Sequence, residues 1–174
     1  MRYQVEVRDC DDRAVISLRA SGAAVRAIEQ AIGITVPALG RSVEFGETQG
    51  SLLGVGPDEW LLTVGREREK SCFDQIESAV AGHHASVIVM TDGYVCSTLS
   101  GNDALAVLAQ VCGIDLHPDA FGDGAVARTA FAKVSAVIHC LEVSRRYEIY
   151  TDVGLRAYVT GYLDAAAGAG SLLR

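Results

Sequence analysis

The sequence lacks long hydrophobic runs, clustered positive charge and closely spaced cysteines, and each absence excludes a class of protein. No stretch of the 174 residues approaches the roughly 18 uninterrupted apolar residues that a membrane-spanning helix needs. Lys and Arg number 15 against 22 for Asp and Glu, and the net charge of −7 opposes binding to a phosphate backbone. We therefore expect neither a membrane nor a nucleic acid among the binding partners.

The N-terminal segment and the cysteines together predict a reducing compartment. The segment MRYQVEVRDCDDR is charged throughout and has no apolar core of the signal-peptide type, which predicts a cytoplasmic protein. The five cysteines are odd in number and include no C-x-x-C pair, so we expect reduced thiols and neither a disulfide framework nor a zinc site. Charged residues make up only 21% of the chain, a deficit that favours a surface partly hidden against a partner.

The first half of the chain predicts two helices among five strands. Residues 13–19 (RAVISLR) alternate apolar and polar side chains as a half-buried strand does. A helix follows Ser21-Gly22 and stops at Gly33. The remaining elements are strands at RSVEF, SLLGVG and EWLLTVG, a turn at ETQG, a helix over EKSCFDQIESAVAG ending at Gly82, and a buried strand at ASVIVM.

The second half repeats this plan. Residues 94–99 (YVCSTL) predict a strand, and Ser100 and Asp103 have the spacing of a weak capping box at the start of a helix that ends at Gly113. Three further strands follow at ARTAFAKV, AVIHCLEV and RYEIYTDV, and LRAYVTGYLDAAAG predicts a closing helix.

An internal duplication is indicated by two similar segments. RAVISLRASGAAVRAIEQAIGI and YVCSTLSGNDALAVLAQVCGI share a strand, a Ser-Gly hinge, a helix and a closing Gly-Ile. Each half reads as the split βαβ pattern of ferredoxin-like units. The predicted fold class is therefore α+β, with two ferredoxin-like halves at about 13–90 and 94–168 that build one domain over residues 1–174.

A search for catalytic or ligand-binding groups finds no site. His83 and His84 are adjacent and would point to opposite faces of a strand, and no metal-ligand spacing involves His117 or His139. Gly54-Val55-Gly56 lacks the third glycine and the following helix of a dinucleotide-binding loop. No nucleophile elbow is present, and Cys72, Cys96 and Cys112 fall on apolar faces of predicted elements, whereas Cys10 and Cys140 have no activating neighbour.

Two short segments each allow two interpretations. In Asp115-Leu116-His117-Pro118 the carboxylate and imidazole could form an acid/base pair, or Asp115 and Pro118 could shape a turn with His117 at the surface. Pro57-Asp58-Glu59-Trp60 could be a ligand-facing loop or a tight turn that the aromatic ring pins by packing. We favour the turn in both places and predict no catalytic, cofactor-binding or metal-binding residue.

Three segments in register resemble the sarcosine oxidase gamma subunit family. Gly56-Pro57-Asp58-Glu59-Trp60-Leu61-Leu62 is similar to the family signature L-G-P-D-E-W-L-L. The second segment runs from His84 through Thr91-Asp92-Gly93 to Leu99-Ser100-Gly101, and the third resembles D-L-H-P-x-x-F-x-x-G-x-x-x-x-T. The matching motif positions, which we expect to be structural or to lie at an interface, are Pro57, Asp58, Trp60, Asp92, Asp115, His117, Phe121 and Thr129.

The resemblance implies a fold and an absence of catalysis in this chain. The family is similar in fold to the folate-binding aminomethyltransferases of the glycine cleavage system, where the aspartate of a D-x-S-H motif acts on the folate-bound one-carbon unit. The corresponding stretch is Val89-Met90-Thr91-Asp92, and valine cannot accept a proton. The family's usual D-V-S-D-G is V-M-T-D-G here, and Asp92 matches the position after the serine.

The resemblance also implies partners. The complex has alpha, beta, gamma and delta subunits, carries FAD, FMN and NAD, oxidises sarcosine to glycine and passes the one-carbon unit to tetrahydrofolate. The cofactors and the folate site are expected in the partner subunits and none in this chain alone. The alternatives are the small subunit of another N-methyl amine dehydrogenase such as N-methylglutamate dehydrogenase, a stand-alone folate-binding aminomethyltransferase-like protein, and a small-molecule-binding or regulatory module outside amine oxidation.

Overall fold

The structure is a computed structural model that describes residues 3–45 and 50–168. The described elements, in chain order, are β1 (Val5–Asp9), β2 (Arg13–Ala20), α1 (Ala23–Ile32), β3 (Ser42–Phe45), β4 (Gly50–Gly56), β5 (Glu59–Gly65), α2 (Glu69–Val80), β6 (Ala85–Val89), β7 (Tyr94–Gly101), α3 (Ala104–Val111), β8 (Val126–Phe131), β9 (Val134–Glu142), β10 (Arg146–Asp152) and α4 (Arg156–Ala166). The turn predicted at ETQG falls mainly on residues 46–49, outside the described residues.

The chain divides into two units that are not equivalent to its two halves. The first unit is residues 12–91, and the second combines the described parts of residues 1–11 and 92–174. Each unit is an antiparallel five-stranded sheet with two helices. Whether the units together act as one domain stays a prediction.

The first unit is ferredoxin-like, as predicted. Its sheet has the order β3-β4-β5-β2-β6, and all neighbouring strands are antiparallel. β2, β4, β5 and β6 with α1 and α2 give the split βαβ arrangement, and β3 adds an outer strand. The helices cover one face of the sheet, where Ile16 and Leu18 of β2 pack with Ile28 of α1 and Ile76 of α2. Each of these fully buried side chains contributes about 1.5–3 kcal/mol of transfer free energy.

The second unit has the same arrangement but takes its fourth strand from the beginning of the chain. Its sheet has the order β1-β7-β10-β9-β8, so β1 occupies the place that β6 has in the first unit. β7 matches β2 in its burial, because the first six positions of both strands follow one sequence of buried and half-buried residues. The sequence analysis predicted no element for β1, although Val5-Glu6-Val7-Arg8 alternates apolar and charged side chains as a half-buried strand does.

Helix α1 ends at the glycine that the sequence predicted. Gly33 follows the helix with φ 74°, in the left-handed region, and its N–H donates to the Glu29 carbonyl at 2.8 Å. Glycine adopts this conformation without the steric cost that a Cβ would add. The stop predicted at Gly33 is confirmed.

The predicted capping box at the start of α3 is wrong. Ser100 lies within β7, and α3 begins at Ala104 without a side-chain cap. The Asp103 carboxylate accepts a hydrogen bond from the Gln4 N–H at 2.7 Å. This carboxylate thus helps to hold the chain ahead of β1 beside β7 and does not cap its own helix.

The run ASVIVM forms a strand, but the prediction that it is buried is wrong. The side chains of Ile88 and Val89 are 52% and 41% exposed. β6 is an outer strand that pairs only with β2 among the described strands, so one of its sides has no neighbour in the sheet.

The backbone at Gly101 in β7 lies against the chain at the start of β1, and we predict that Gly101→Ala destabilises the second unit. Its φ is 130°, and a Cβ there would lie 2.2 Å from the Gln4 carbonyl oxygen. The substitution should lower the free energy of unfolding by about 2–4 kcal/mol in urea titrations. Gly113→Ala is the control, since a Cβ at Gly113 meets no atom within 4 Å. Equal effects of the two substitutions would contradict this account.

Cys140 in the second core predicts a loss of stability at high pH. Burial raises the pKa of its thiol from 9.0 to about 11, and Asp123 adds to the shift. Because the folded pKa lies above the unfolded one, this contribution is fully present below pH 9 and is lost as the pH rises towards 11. Cys140→Ala should reduce the decline in unfolding free energy across this range by about 1–3 kcal/mol. An unchanged pH slope, measured by denaturant titration, would show that Cys140 is not responsible.

Candidate functional site

A cleft of about 450 Å³ opens in the first unit, where three segments of the sheet meet. The end of β2, the turn between β4 and β5 and the start of β6 each contribute to its walls. Two of the segments that carry the family resemblance, at Pro57 and at His84, are therefore brought together here. The lining residues are Arg19, Ala20, Ser21, Pro57, Asp58, Glu59, His84, Ala85 and Ser86.

The cleft has a fixed ion pair and an exposed carboxylate. Arg19 and Glu59 lie opposite each other on β2 and β5, and the Arg19 Nη2 donates to Glu59 Oε2 at 2.9 Å. The side chain of Glu59 is only 15% exposed, so the pair holds it in one position. Asp58 and His84 are exposed at the rim. The lining of the cleft contains two carboxylates, Asp58 and Glu59, against one arginine.

Trp60 holds the turn at the edge of this cleft. Its ring is 5% exposed in the first core, and its indole N–H donates to the Pro37 carbonyl at 2.9 Å. Pro57 and Asp58 form the two-residue turn between β4 and β5. The interpretation of a tight turn pinned by an aromatic ring is confirmed, and the same turn also borders the cleft.

The Asp115 segment in the second unit is also a turn. Asp115 Oδ1 accepts a hydrogen bond from the His117 backbone N–H at 2.9 Å. This is the hydrogen bond of an Asx turn, in which an aspartate side chain binds the backbone two residues further on. The His117 ring is 67% exposed, and its Nδ1 lies 3.6 Å from Asp119 Oδ2. The Asp115 carboxylate thus binds backbone and not the imidazole, which favours the turn over the acid/base pair.

The remaining motif positions are dispersed within the second unit. Phe121 is 5% exposed in the second core, and its N–H donates to the His117 carbonyl at 2.8 Å. Asp92 is exposed in the short 3₁₀ turn Thr91–Gly93, and Thr129 is half-buried on β8. The described structure does not gather these residues into a pocket with Asp115.

Thr91 shows a structural use for the hydroxyl at the serine position of the family motif. Its Oγ1 accepts from the Val15 N–H at 3.0 Å and donates to the Glu69 carboxylate. Two residues earlier, Val89 ends β6 with a half-exposed apolar side chain. The Val89 side chain, at the position that the sequence analysis aligned with the aspartate of the D-x-S-H motif, therefore offers no acceptor for a proton.

A buried polar cluster in the second unit was missed by the sequence analysis. The Tyr150 O–H donates to Glu148 Oε2 at 2.6 Å, and His139 Nδ1 lies 3.5 Å from the same oxygen. Register explains the meeting, because His139 on β9 lies opposite Glu148 on β10. The available signal was a glutamate in the middle of the apolar strand RYEIY.

The cluster is enclosed, and this limits its chemistry. His139, Glu148 and Tyr150 are each at most 2% exposed, so a substrate cannot reach them in this conformation.

Cys96, on the same face, has its pKa raised well above 9.0 by a hydrogen bond with Cys10, by burial and by the Glu148 charge. Its thiol stays protonated at neutral pH and is a poor nucleophile. The placement of Cys96 on a purely apolar face was wrong, whereas Cys72 and Cys112 do lie in the apolar cores.

Residues 3–45 and 50–168 contain no group of three or more His, Cys, Asp or Glu side chains that could hold a metal ion. Their helices include none that is long and apolar enough to cross a membrane.

The fold is similar to those of two solved proteins. The chain superposes on the glycine cleavage system aminomethyltransferase T from Bartonella henselae with a TM-score of 0.75 at 18% identity, covering 94% of this chain and 46% of that one. It superposes on a chain of the heterotetrameric sarcosine oxidase from Corynebacterium sp. U-96 with a TM-score of 0.85 at 22% identity, covering 96% and 86%. At these sequence identities, the structural similarity establishes the fold of this chain and nothing further.

Sequence comparison identifies the family. Residues 18–168 match the sarcosine oxidase, gamma subunit family, and the chain belongs to it. Over 112 residues it is 28% identical to sarcosine oxidase subunit gamma of Corynebacterium sp. (strain U-96) and 29% identical to that of Arthrobacter sp.. Each alignment covers 64% of this chain and 54% of the relative, so the chain spans about half the length of the curated relatives it matches.

The buried cluster predicts a large stability effect at Glu148. Glu148→Ala removes the acceptor of the Tyr150 hydroxyl and the carboxylate beside His139, and should cost about 2–4 kcal/mol of unfolding free energy. Glu148→Gln keeps the shape and should cost less. Glu77→Ala, at an exposed position on α2, is the control and should change stability by less than about 0.5 kcal/mol. If Glu148→Ala and Glu77→Ala have similar urea midpoints, the cluster contributes no stability.

Proposed function

We propose that this chain is the gamma subunit of a heterotetrameric sarcosine oxidase, a non-catalytic accessory subunit that packs against alpha, beta and delta partners. The observation that carries the proposal is the family match over residues 18–168. The agreement in fold along 96% of the chain with a chain of such an oxidase is consistent with it. The small share of charged residues also fits a protein whose surface is partly covered.

The residues favour an accessory role over catalysis. Val89 stands where the aminomethyltransferases use an aspartate, and the Glu148 cluster is closed to substrates. His117 and Asp115 form a turn, and the thiol of Cys96 is held in its protonated form. The oxidation chemistry would therefore belong to the partner subunits.

The family resemblance extends the proposal to the reaction of the whole complex. The complex would oxidise sarcosine to glycine and pass the one-carbon unit to tetrahydrofolate, in the cytoplasm. FAD, FMN, NAD and tetrahydrofolate would be bound by the partner subunits. The motif positions Pro57, Asp58, Trp60, Asp92, Asp115, His117, Phe121 and Thr129 would be structural or would contact those subunits.

One alternative has a specific observation in its favour. The TM-score of 0.75 with an aminomethyltransferase is what a stand-alone folate-binding protein of this fold would give. The missing carboxylate at Val89 argues against it, because folate-dependent transfer needs that group. The other alternative is the small subunit of another N-methyl amine dehydrogenase. It differs from the proposal only in the substrate that the partner subunits would oxidise.

The proposal predicts assembly with flavoproteins. A tagged chain co-expressed with the alpha, beta and delta subunits of a sarcosine oxidase should co-elute with them and with their flavin absorbance. The chain expressed alone should show no sarcosine oxidation, since no redox cofactor would be present.

Three outcomes would contradict the proposal. The first is a chain that never elutes with the flavoprotein subunits, and the second is an isolated chain that oxidises sarcosine. The third is saturable micromolar binding of tetrahydrofolate to the isolated chain in calorimetric titration, which would favour the stand-alone alternative.

A further inference from the structure

Cys10 and Cys96 lie directly opposite each other in the second unit. Asp9, the last residue of β1, pairs with Ser97 of β7, and the Cys10 N–H continues this register by donating to the Cys96 carbonyl at 2.8 Å. Opposite residues joined in this way have Cα atoms about 5.5 Å apart. Two cysteines in a disulfide have Cα atoms roughly 4.4–6.8 Å apart. The backbone therefore places this pair at a distance that a disulfide can bridge.

The two thiols are also in contact. Side chains of opposite residues in an antiparallel pair point to the same face of the sheet. A hydrogen bond joins the side chains of Cys10 and Cys96. The Cys10 Sγ also lies 2.8 Å from the Oγ1 of Thr98, which is on the same face of β7 as Cys96. The Cys10 side chain is therefore directed along β7, where the Cys96 thiol meets it.

Arg156 holds the chain on both sides of Cys10. Its guanidinium donates to Asp9 Oδ2 at 2.7 Å and to Asp11 Oδ1 at 2.9 Å. These two carboxylates flank Cys10 in the sequence, and Arg156 is the first residue of α4. The segment that follows β1 is thus tied to α4. Because Cys10 is kept beside Cys96, a reaction between the two requires little further loss of conformational freedom.

The cysteines differ in exposure, and this decides which of them an oxidant meets first. Cys10 is half-buried, so a small oxidant can reach its sulfur, whereas Cys96 is 4% exposed. Cys72, Cys112 and Cys140 lie in the two apolar cores. Buried cysteines in such surroundings are inert. Cys10 is therefore the first site of oxidation.

We propose that Cys10 and Cys96 form a redox modification site, which a peroxide converts into a cross-strand disulfide that joins β1 to β7. The inference goes beyond the proposed function and does not depend on it, because both cysteines belong to this chain.

The reaction takes two steps. The Cys10 thiol gives two electrons to hydrogen peroxide, which yields the sulfenic acid Cys10–S–OH and one water. The Cys96 sulfur then attacks the Cys10 sulfur, the S–S bond forms, and the hydroxyl leaves with the Cys96 proton as a second water. The raised pKa of Cys96 slows this step, but the contact between the two side chains compensates for the small thiolate fraction. A low-molecular-weight thiol reverses the modification by thiol–disulfide exchange.

The disulfide would stabilise the chain through the length of the loop that it closes. All of the first unit, residues 12–91, lies between Cys10 and Cys96 in the sequence. A cross-link that closes a long loop removes many conformations from the unfolded chain. The urea midpoint of the oxidised chain should therefore be higher than that of the reduced chain by about 1 M.

The test treats the reduced full chain with hydrogen peroxide and counts its thiols under denaturing conditions. The count should fall from five to three, and the chain should lose the mass of two hydrogen atoms. Digestion with trypsin and chymotrypsin should release residues 9–13 joined to residues 95–99. Dithiothreitol should restore all five thiols.

Three variants locate the reaction. Cys10→Ser keeps a hydroxyl beside Thr98 and should fold, and it should retain its four thiols under the same treatment. Cys96→Ser should form no disulfide. Cys112→Ser is the matched control, because Cys112 is also buried in the second unit, and its thiol count should fall from four to two. Circular dichroism confirms that each variant folds, and Cys10→Ser remains informative if Cys96→Ser does not.

Four outcomes would overturn the proposal. One is a gain of oxygen at Cys10 without a cross-link, and another is a disulfide between two chains on non-reducing gels. A third is an equal loss of thiols in Cys10→Ser and in the unchanged chain. A disulfide that leaves the urea midpoint unchanged would contradict the role of the cross-link in holding β1. None of these outcomes bears on the proposed function, which co-elution with the flavoprotein subunits tests separately.

Discussion

The structure depends on the requirement that an inner strand has its backbone groups paired on both sides. β2 and β7 are inner strands of their sheets, and most of their side chains are buried or half-buried. An unpaired N–H or C=O at such a position would be costly, because water cannot reach it. β5 and β10 satisfy one side of each strand. The other side is satisfied by β6 in the first unit and by β1 in the second.

This requirement explains which elements the sequence predicted and which it did not. The helices and inner strands have strong periodicity, because their apolar residues face one core, and the predicted elements agree with the structure at β2, β4, β5 and α1. β1 was missed because its alternation of Val5 and Val7 with Glu6 and Arg8 is short and runs directly into the charged residues 9–13. β6 was predicted as buried from its apolar run, but an outer strand can be apolar without being covered.

The polar residues of the second unit could not be predicted for a different reason. Glu148 and Tyr150 are two residues apart, so a strand places them on one face, but only the register with β9 brings His139 to the same carboxylate. The pairing register is a property of the whole sheet and cannot be predicted from the sequence of either strand alone. For the same reason Pro57 and His84 were recognised as motif positions, whereas the cleft that both line was not foreseen.

The place of β1 in the second sheet has a consequence for the order in which the chain is made. β1 is synthesised before the first unit, yet Val5 pairs with Gly101, and all of the first unit lies between them in the sequence. The first unit can therefore complete its sheet while β1 has no neighbour. Closing so long a loop is entropically unfavourable and slow compared with pairing local hairpins. Charges on an unpaired strand disfavour its pairing with other chains, so Glu6, Arg8 and Asp9 would protect the nascent protein from aggregation until β7 is made.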